Sequence, residues 1–269
     1  MLRPRITPCL LIDNGALVKT QFFDLPKYVG DPINAVKIFN EKEADEIIVL
    51  DISATKKSLS PNFSLIEKLA AECRMPLCYG GGVNSVEQTS QLINMGVEKV
   101  AVSSAAIARP ALINEMVDAV GSQSVVVILD FYKKKKLFSN NYQLCSHNGK
   151  KFYQENPFSF FERCQKAGAG EIVINSVNND GLMKGYDLNL VLKIKSLSKI
   201  PITFLGGAGS LNHIEELIKN FGIVGAAAGS LFVFKGKYRA VLINYPKFEK
   251  KIEICSKAMK VYNDIVEYV

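Results

Sequence analysis

The chain repeats itself at half its length, and that repeat narrows the folds open to it. Asp31-Pro32 is echoed by Asn156-Pro157, Glu46 by Glu171, and Pro76 by Pro201, each pair 125 positions apart. After one inserted residue, Gly80-Gly81 is echoed by Gly206-Gly207 and Ser104 by Ser230, now 126 apart. Each half ends alike, with an apolar run into glycines, a helical stretch and a run of small residues. A duplicated unit of this size predicts two half-barrels, about residues 1–122 and 123–235, closing into one (β/α)8 TIM barrel. The paired glycine turns predict two phosphate sites, and so a ligand with a phosphate at each end.

Eight short apolar runs read as strands: 6–12, 47–52, 76–80, 99–103, 124–131, 171–176, 201–205 and 223–228. Continuous apolar runs of this length fit a parallel sheet covered by helices. Amphipathic stretches lie between them, at 32–43, 62–73, 85–95, 109–119, 157–167, 187–197 and 211–220. Leu65, Leu69 and Cys73, four apart, put one apolar stripe on a helix. Strict strand–helix alternation implies an α/β fold with right-handed crossovers. No linker interrupts it, so residues 1–269 are read as one domain. The tail from 236 to 269 is basic and aromatic, with room for one or two helices.

Composition excludes several function classes. The 269 residues match the usual length of such a barrel, and the formal net charge of +7 suits anionic, phosphorylated ligands. No nucleic-acid-binding module pattern appears, so no nucleic-acid partner is expected. No run of about 18 apolar residues offers a membrane span. The start, MLRPRITPCLLID, lacks the apolar core and cleavage site of a signal peptide and reads as mature cytoplasmic sequence. Lys133 to Lys136 is a basic run expected in a solvated loop after the fifth strand. Six cysteines without a C-x-x-C pair, with only two histidines, argue against a metal site and for reduced thiols.

In such a barrel the chemistry lies at the C-terminal ends of the strands. Asp51, Asp130 and Asp180 fall there by register. A carboxylate ending an apolar strand costs desolvation unless it is paired, bonded or usefully placed. Asp130, closing VVVILD, is expected to be an acid/base; Asp51 reads alternatively as a loop cap or a partner for Lys19. Gly81 and Gly82 follow the third strand and Gly206 and Gly207 the seventh, where glycine lets backbone N–H groups approach an anion. Ser103-Ser104 and Gly229-Ser230, after the fourth and eighth strands, would complete each cradle.

These motifs together resemble the cyclase subunit of imidazole glycerol phosphate synthase, the HisF family, over about residues 1 to 235. They run in order as RITPCLL, LVKT, GDPINAV, ADEIIVLDI, YGGGVNSVEQ, EKVAVSSAAI, GSQSVVVILD, AGAGEIVINSVNNDG, GYDLNL, FLGGAGS and GSLFVF. The resemblance implies a lyase and cyclisation step on a doubly phosphorylated ribulosyl substrate, without a cofactor. It implies a heterodimer with a glutaminase subunit, whose ammonia enters at the barrel floor and travels up the axis. Arg5, Glu46, Lys99 and Glu171 match the four charged residues of the family's floor gate, and Glu98 lies where the family meets its glutaminase. Asp130 and Lys19 match functional positions at the mouth, Asp51 is kept as a third candidate there, and Asp180 and Gly181 are counted with the phosphate-binding residues.

The departures from the family matter as much. The family's other catalytic aspartate stands at the mouth end of the first strand, where this chain has Leu11, in CLLIDNG. Asp13, two residues on, points to the same face of a strand and is a candidate substitute, but its expected place is the loop beyond the strand. Ser103-Ser104 stands where Asn-Thr is usual, and Leu205 where a small hydroxyl residue precedes Gly206. The tail FVFKGKYRAVLINYP resembles a paralogous branch associated with surface-polysaccharide synthesis, in which ammonia passes to a separate sugar amidotransferase.

Overall fold

The computed structural model describes residues 3–134 and 141–267. In chain order its strands begin with β1 (Arg5–Asp13), β2 (Ala16–Gln21), β3 (Asp24–Gly30), β4 (Ile47–Asp51) and β5 (Leu77–Gly80). They continue with β6 (Lys99–Val102), β7 (Val125–Lys133), β8 (Tyr142–Ser146), β9 (Lys151–Phe152) and β10 (Glu171–Ser176). The last are β11 (Ile202–Leu205), β12 (Gly225–Ala228), β13 (Phe234–Lys235) and β14 (Ala240–Val241). The helices are α1 (Pro32–Glu41), α2 (Phe63–Glu72), α3 (Val86–Asn94), α4 (Ser104–Ala108) and α5 (Ala111–Val120). After them come α6 (Pro157–Lys166), α7 (Leu188–Leu197), α8 (Leu211–Phe221), α9 (Ser230–Val233) and α10 (Phe248–Glu267).

Eight strands pair in parallel in the order β1, β4, β5, β6, β7, β10, β11, β12, and β12 returns to β1. The sheet is therefore a closed (β/α)8 barrel with no free edge. Side chains alternate along each strand with period two. On β7, Val125, Val127 and Leu129 pack outward into the large core under the helices, while Val126 and Ile128 join a separate cluster on the barrel axis.

The repeat seen in the sequence reappears in the helix starts. Asp31 caps α1 and Asn156 caps α6, each followed by proline in the first turn. Asn62 and Asp187 cap α2 and α7; Ser85 and Ser210 cap α3 and α8. All are short polar side chains that accept from backbone N–H groups left unpaired by the helix.

Four features depart from the linear reading. The stretch 109–119 is one helix, α5, but it starts only after Pro110, and a short extra helix, α4, precedes it. Two antiparallel hairpins, β2–β3 and β8–β9, extend the first and fifth barrel strands above the mouth. Lys133 ends β7 rather than starting a loop, its N–H donating to Asn178 Oδ1 at 2.6 Å; Lys135 and Lys136 lie outside the described residues. The tail supplies the small hairpin β13–β14 and then a single long helix, α10. Among the described residues no helix is long and apolar enough to cross a membrane.

The tail is fastened to the barrel floor. Lys251 of α10, 3% exposed, donates to Glu43 O at 2.9 Å and to Asp45 Oδ1 at 2.8 Å. Tyr245 donates to Ile6 O at 2.7 Å and packs between Phe39 and Phe232.

Candidate functional site

At the N-terminal ends of the strands, Arg5, Glu46, Lys99 and Glu171 point inward from β1, the start of β4, β6 and β10. They close an alternating ring. Arg5 reaches Glu46 at 2.7 Å and Glu171 at 2.6 Å; Lys99 reaches the same two carboxylates at 2.7 and 2.8 Å. Thr203 adds a hydroxyl donor to Glu171 at 2.5 Å. Both carboxylates are nearly buried, so each needs its cations. Burial and the neighbouring Glu171 push Glu46 upward. Burial also works against the Glu171 charge, but Lys99, Arg5 and the Thr203 hydroxyl outweigh it and hold this carboxyl low. Glu98 is exposed beside the ring on the outer face of the floor.

Above the ring the axis is lined by Cys9, Ile48, Cys78, Ala101, Val126 and Val173. These are small or apolar groups that hold no charge. Thr7 of β1 adds an uncharged hydroxyl, whose buried Oγ1 has no partner.

The column opens into a cavity of about 490 Å³ at the C-terminal ends of the strands. Asp130, Lys19, Asp51, Asp180 and Gly181 line it, as do Gly81, Gly82, Ser103, Ser104, Gly206, Gly207, Gly229 and Ser230. Asp130 is half-buried and accepts from Asn175 Nδ2 at 3.0 Å. Its carboxyl is pushed up to about 7, chiefly by burial and further by the charge of Asp180, against the pull of the Asn175 bond. A carboxyl tuned there can hold or release a proton near neutral pH.

Lys19 is 5% exposed, donates to Cys9 O, and lies against Gly229, where a Cβ would collide with its Nζ. Burial lowers its affinity for a proton, with Cys9 and Asp180 acting the other way. Asp51 turns out to be the cap: its Oδ1 accepts from Ser53 N at 2.9 Å, Ser53 Oγ at 2.8 Å and Ala54 N at 3.0 Å. An acceptor so committed suits a turn better than proton transfer. Asp180 ties down the β2–β3 hairpin, its Oδ2 accepting from Thr20 Oγ1 at 3.1 Å and Phe23 N at 3.3 Å. Burial raises this carboxyl as well. Asp180 lines the cavity beside Gly181 with its Oδ2 committed to the hairpin.

Leu11 lines the cavity, forming with Leu50, Ile128 and Leu205 an apolar collar around its base. Asp13 is not among the lining residues. It ends β1 in the turn to β2, where its Oδ1 accepts from Asn14 Nδ2 at 3.0 Å. Asp13 thus takes its expected place at the turn and not the substitute's place in the cavity: one step of strand pleat carries the side chain beyond the mouth.

Two short helices, α4 and α9, start at the cavity rim, and neither N-terminus has a side-chain cap. Ser103 Oγ is buried there without a partner. Unpaired N–H groups and an unused hydroxyl form an anion-accepting surface. Gly207 at φ +106° is required for a second reason, since a Cβ would strike Gly185 O.

Several lining residues escaped the linear reading: Phe23, His147, Asn148, Lys151, Tyr153 and Asn175. All but Asn175 sit on the two hairpins, whose pairing is visible only once the barrel has closed. Asn175 was within reach of the sequence, as a polar residue ending the sixth apolar run.

A family model described as "Histidine biosynthesis protein" matches residues 5–239. The chain is 55% identical over 246 residues to the provisionally named imidazole glycerol phosphate synthase subunit HisF of Leptospira borgpetersenii, covering 91% of this chain and 96% of that one. It is 53% identical over 251 residues to a likewise provisionally named subunit, hisF3, of Vibrio vulnificus, covering 93% and 96%. Identity to the imidazole glycerol phosphate synthase subunit HisF of Staphylococcus aureus is 34% over 231 residues, covering 86% and 91%. The chain belongs to the histidine biosynthesis protein family, among its HisF-type barrels.

Proposed function

We propose that this barrel takes ammonia from a glutaminase subunit docked at its floor, near Glu98, and uses it at the mouth on a doubly phosphorylated ribulosyl substrate. The reading rests on one relationship: a salt-bridged ring at the floor and a phosphate-suited cavity at the mouth occupy the two ends of one apolar axis. Ammonia crosses such a column as the neutral molecule, because an ammonium ion would lose its hydration there without a counter-charge. The ring then has to open one ion pair for passage. At the mouth, Gly81, Gly82, Ser103 and Ser104 hold one phosphate. Gly206, Gly207, Gly229 and Ser230 hold the other, with Lys19 supplying charge. Asp130 exchanges a proton with the reacting atoms.

A second reading draws on Leu11, which offers no proton, and on the higher identity to the numbered hisF3 than to the Staphylococcus subunit. In it the barrel conducts ammonia to a sugar amidotransferase seated on the mouth. Turnover of the ribulosyl substrate with ammonium salt and this chain alone separates the two. Turnover supports the first reading. No turnover by folded protein, with activity gained on Leu11→Asp, supports the second. In either case, replacing Lys99 or Glu171 by Ala must change glutamine-dependent activity, and an unchanged rate would remove the conduit.

A further inference from the structure

A cavity that adds a nitrogen to a carbonyl must give one proton to oxygen and take one from nitrogen. Asp130 covers one of these transfers. Leu11 occupies the other position on the family pattern, and Asp13 stands outside. Lys19 is bonded to Cys9 O, Asp51 to its turn and Asp180 to the β2–β3 hairpin. One imidazole lines the same cavity, that of His147, at the tip of the β8–β9 hairpin.

We propose that His147 is the second proton-transfer residue of this cavity, acting from the tip of the β8–β9 hairpin in place of the carboxylate that Leu11 replaced. The inference rests on the first reading above, chemistry at the mouth.

Geometry supports the role. Ser146, 1% exposed, holds its Oγ 2.8 Å from His147 Nδ1 and 2.8 Å from Tyr153 Oη. With Nδ1–H donating to Ser146 and Ser146 donating to Tyr153, the lone pair is left on Nε2, which has no partner among the described residues. The bond to Ser146 holds the ring, and in this tautomer Nε2 is the free base. The hairpin tip is itself anchored, as Asn148 Nδ2 donates to Ile52 O at 3.2 Å across the mouth. The charged and titratable groups around this part of the wall are Lys151 and Tyr153 beside the same hairpin tip, Asp51 at the end of β4 and Lys56 after it.

The step balances. As the nitrogen–carbon bond forms and the carbonyl π bond breaks, Asp130 gives its proton to the oxygen. His147 Nε2 takes the proton that the nitrogen sheds, leaving a carboxylate and an imidazolium. As the carbon–oxygen bond breaks, the His147 imidazolium gives its proton to the departing hydroxyl, which leaves as water, and the Asp130 carboxylate takes a second proton from the nitrogen as the carbon–nitrogen double bond forms, so both groups are restored.

The test is the pH profile of ammonium-dependent turnover, with rates expressed per concentration of neutral ammonia, for wild type, His147→Gln and Ser146→Ala. His147→Gln is expected to lower kcat by about 10²–10⁴-fold, leave KM nearly unchanged and abolish the acidic limb. Ser146→Ala, which keeps the imidazole but frees it, should move that limb without removing it. It also serves as the test if His147→Gln does not fold. A retained acidic limb with kcat within about threefold in His147→Gln overturns the proposal and leaves the functional reading standing. An acidic limb unmoved in Ser146→Ala also counts against it. Absence of turnover in wild type overturns the functional reading, and the role of His147 with it.

Discussion

Asn175 and Asp130 are direct neighbours across the β7–β10 pairing, and the Asn175 amide donates to Asp130 Oδ1 at 3.0 Å while its own Oδ1 stays buried without a partner. A single neutral donor is weak support for a half-buried carboxylate, which explains why desolvation dominates and the carboxyl rises from an ordinary 3.8 to about 7.

The stability consequence has a definite sign. A folded value above the unfolded one means the fold favours the protonated acid. That contribution is fully present below about pH 4 and is lost as pH rises through about 7. Asp130→Asn should therefore unfold like wild type near pH 4 and be more stable at pH 8 by roughly 2–4 kcal/mol. Urea unfolding at the two pH values checks it; an equal difference at both would contradict it.

The floor ring predicts a large loss from a small change. Lys99→Met leaves Glu46 and Glu171 sharing only Arg5, and should cost about 3 kcal/mol, the lower end for breaking a buried pair because Lys99 is partly solvated. Adding Glu46→Gln should recover part of that loss. Chemical denaturation of the single and double variants measures both.

Lys251 makes the same argument for the tail. Replacing it by Met leaves Asp45 Oδ1 with only the exposed Arg3, at 3.3 Å, beside the backbone bond to Ile6 N. A loss of about 2–4 kcal/mol is expected. It should appear as a lower Tm and as faster amide exchange in α10, with β6 and β7 protected as before.

Asp13 should prove dispensable. Asp13→Asn is expected to change stability by less than about 0.5 kcal/mol and turnover by less than about twofold. A large loss of turnover would show that β1 delivers a carboxylate to the mouth after all.

The glycines separate strain from collision. Gly15 has φ +80° and open space around a Cβ, so Gly15→Ala should cost about 1 kcal/mol. Gly207→Ala meets Gly185 O and Asn179 Cβ as well as a positive φ, and should cost about 3 kcal/mol or more. Thermal melts of the two variants rank them.

Much of this arrangement was legible along the chain. Strand and helix placement followed from apolar runs and amphipathic stretches, since both depend on neighbours within a turn or two, and the echoed Asp31-Pro32 and Asn156-Pro157 prove to open α1 and α6. The floor ring was reachable from a family likeness, because its four residues start strands and keep their spacing. The mouth was harder. Asp51 and Asp180 looked alike as carboxylates after strands, and only their hydrogen bonds show that one caps a turn and the other holds a hairpin. His147 looked like one of two scattered histidines.

The sequence by itself determined the barrel, its twofold internal repeat and which residues end its strands, because periodicity, capping and glycine turns are local properties. Only the tertiary structure decided which of those residues share the cavity. That depends on register, where a shift of two positions takes Asp13 out of reach, and on hairpins reaching across a closed barrel, which bring His147 into the same cavity as Asp130.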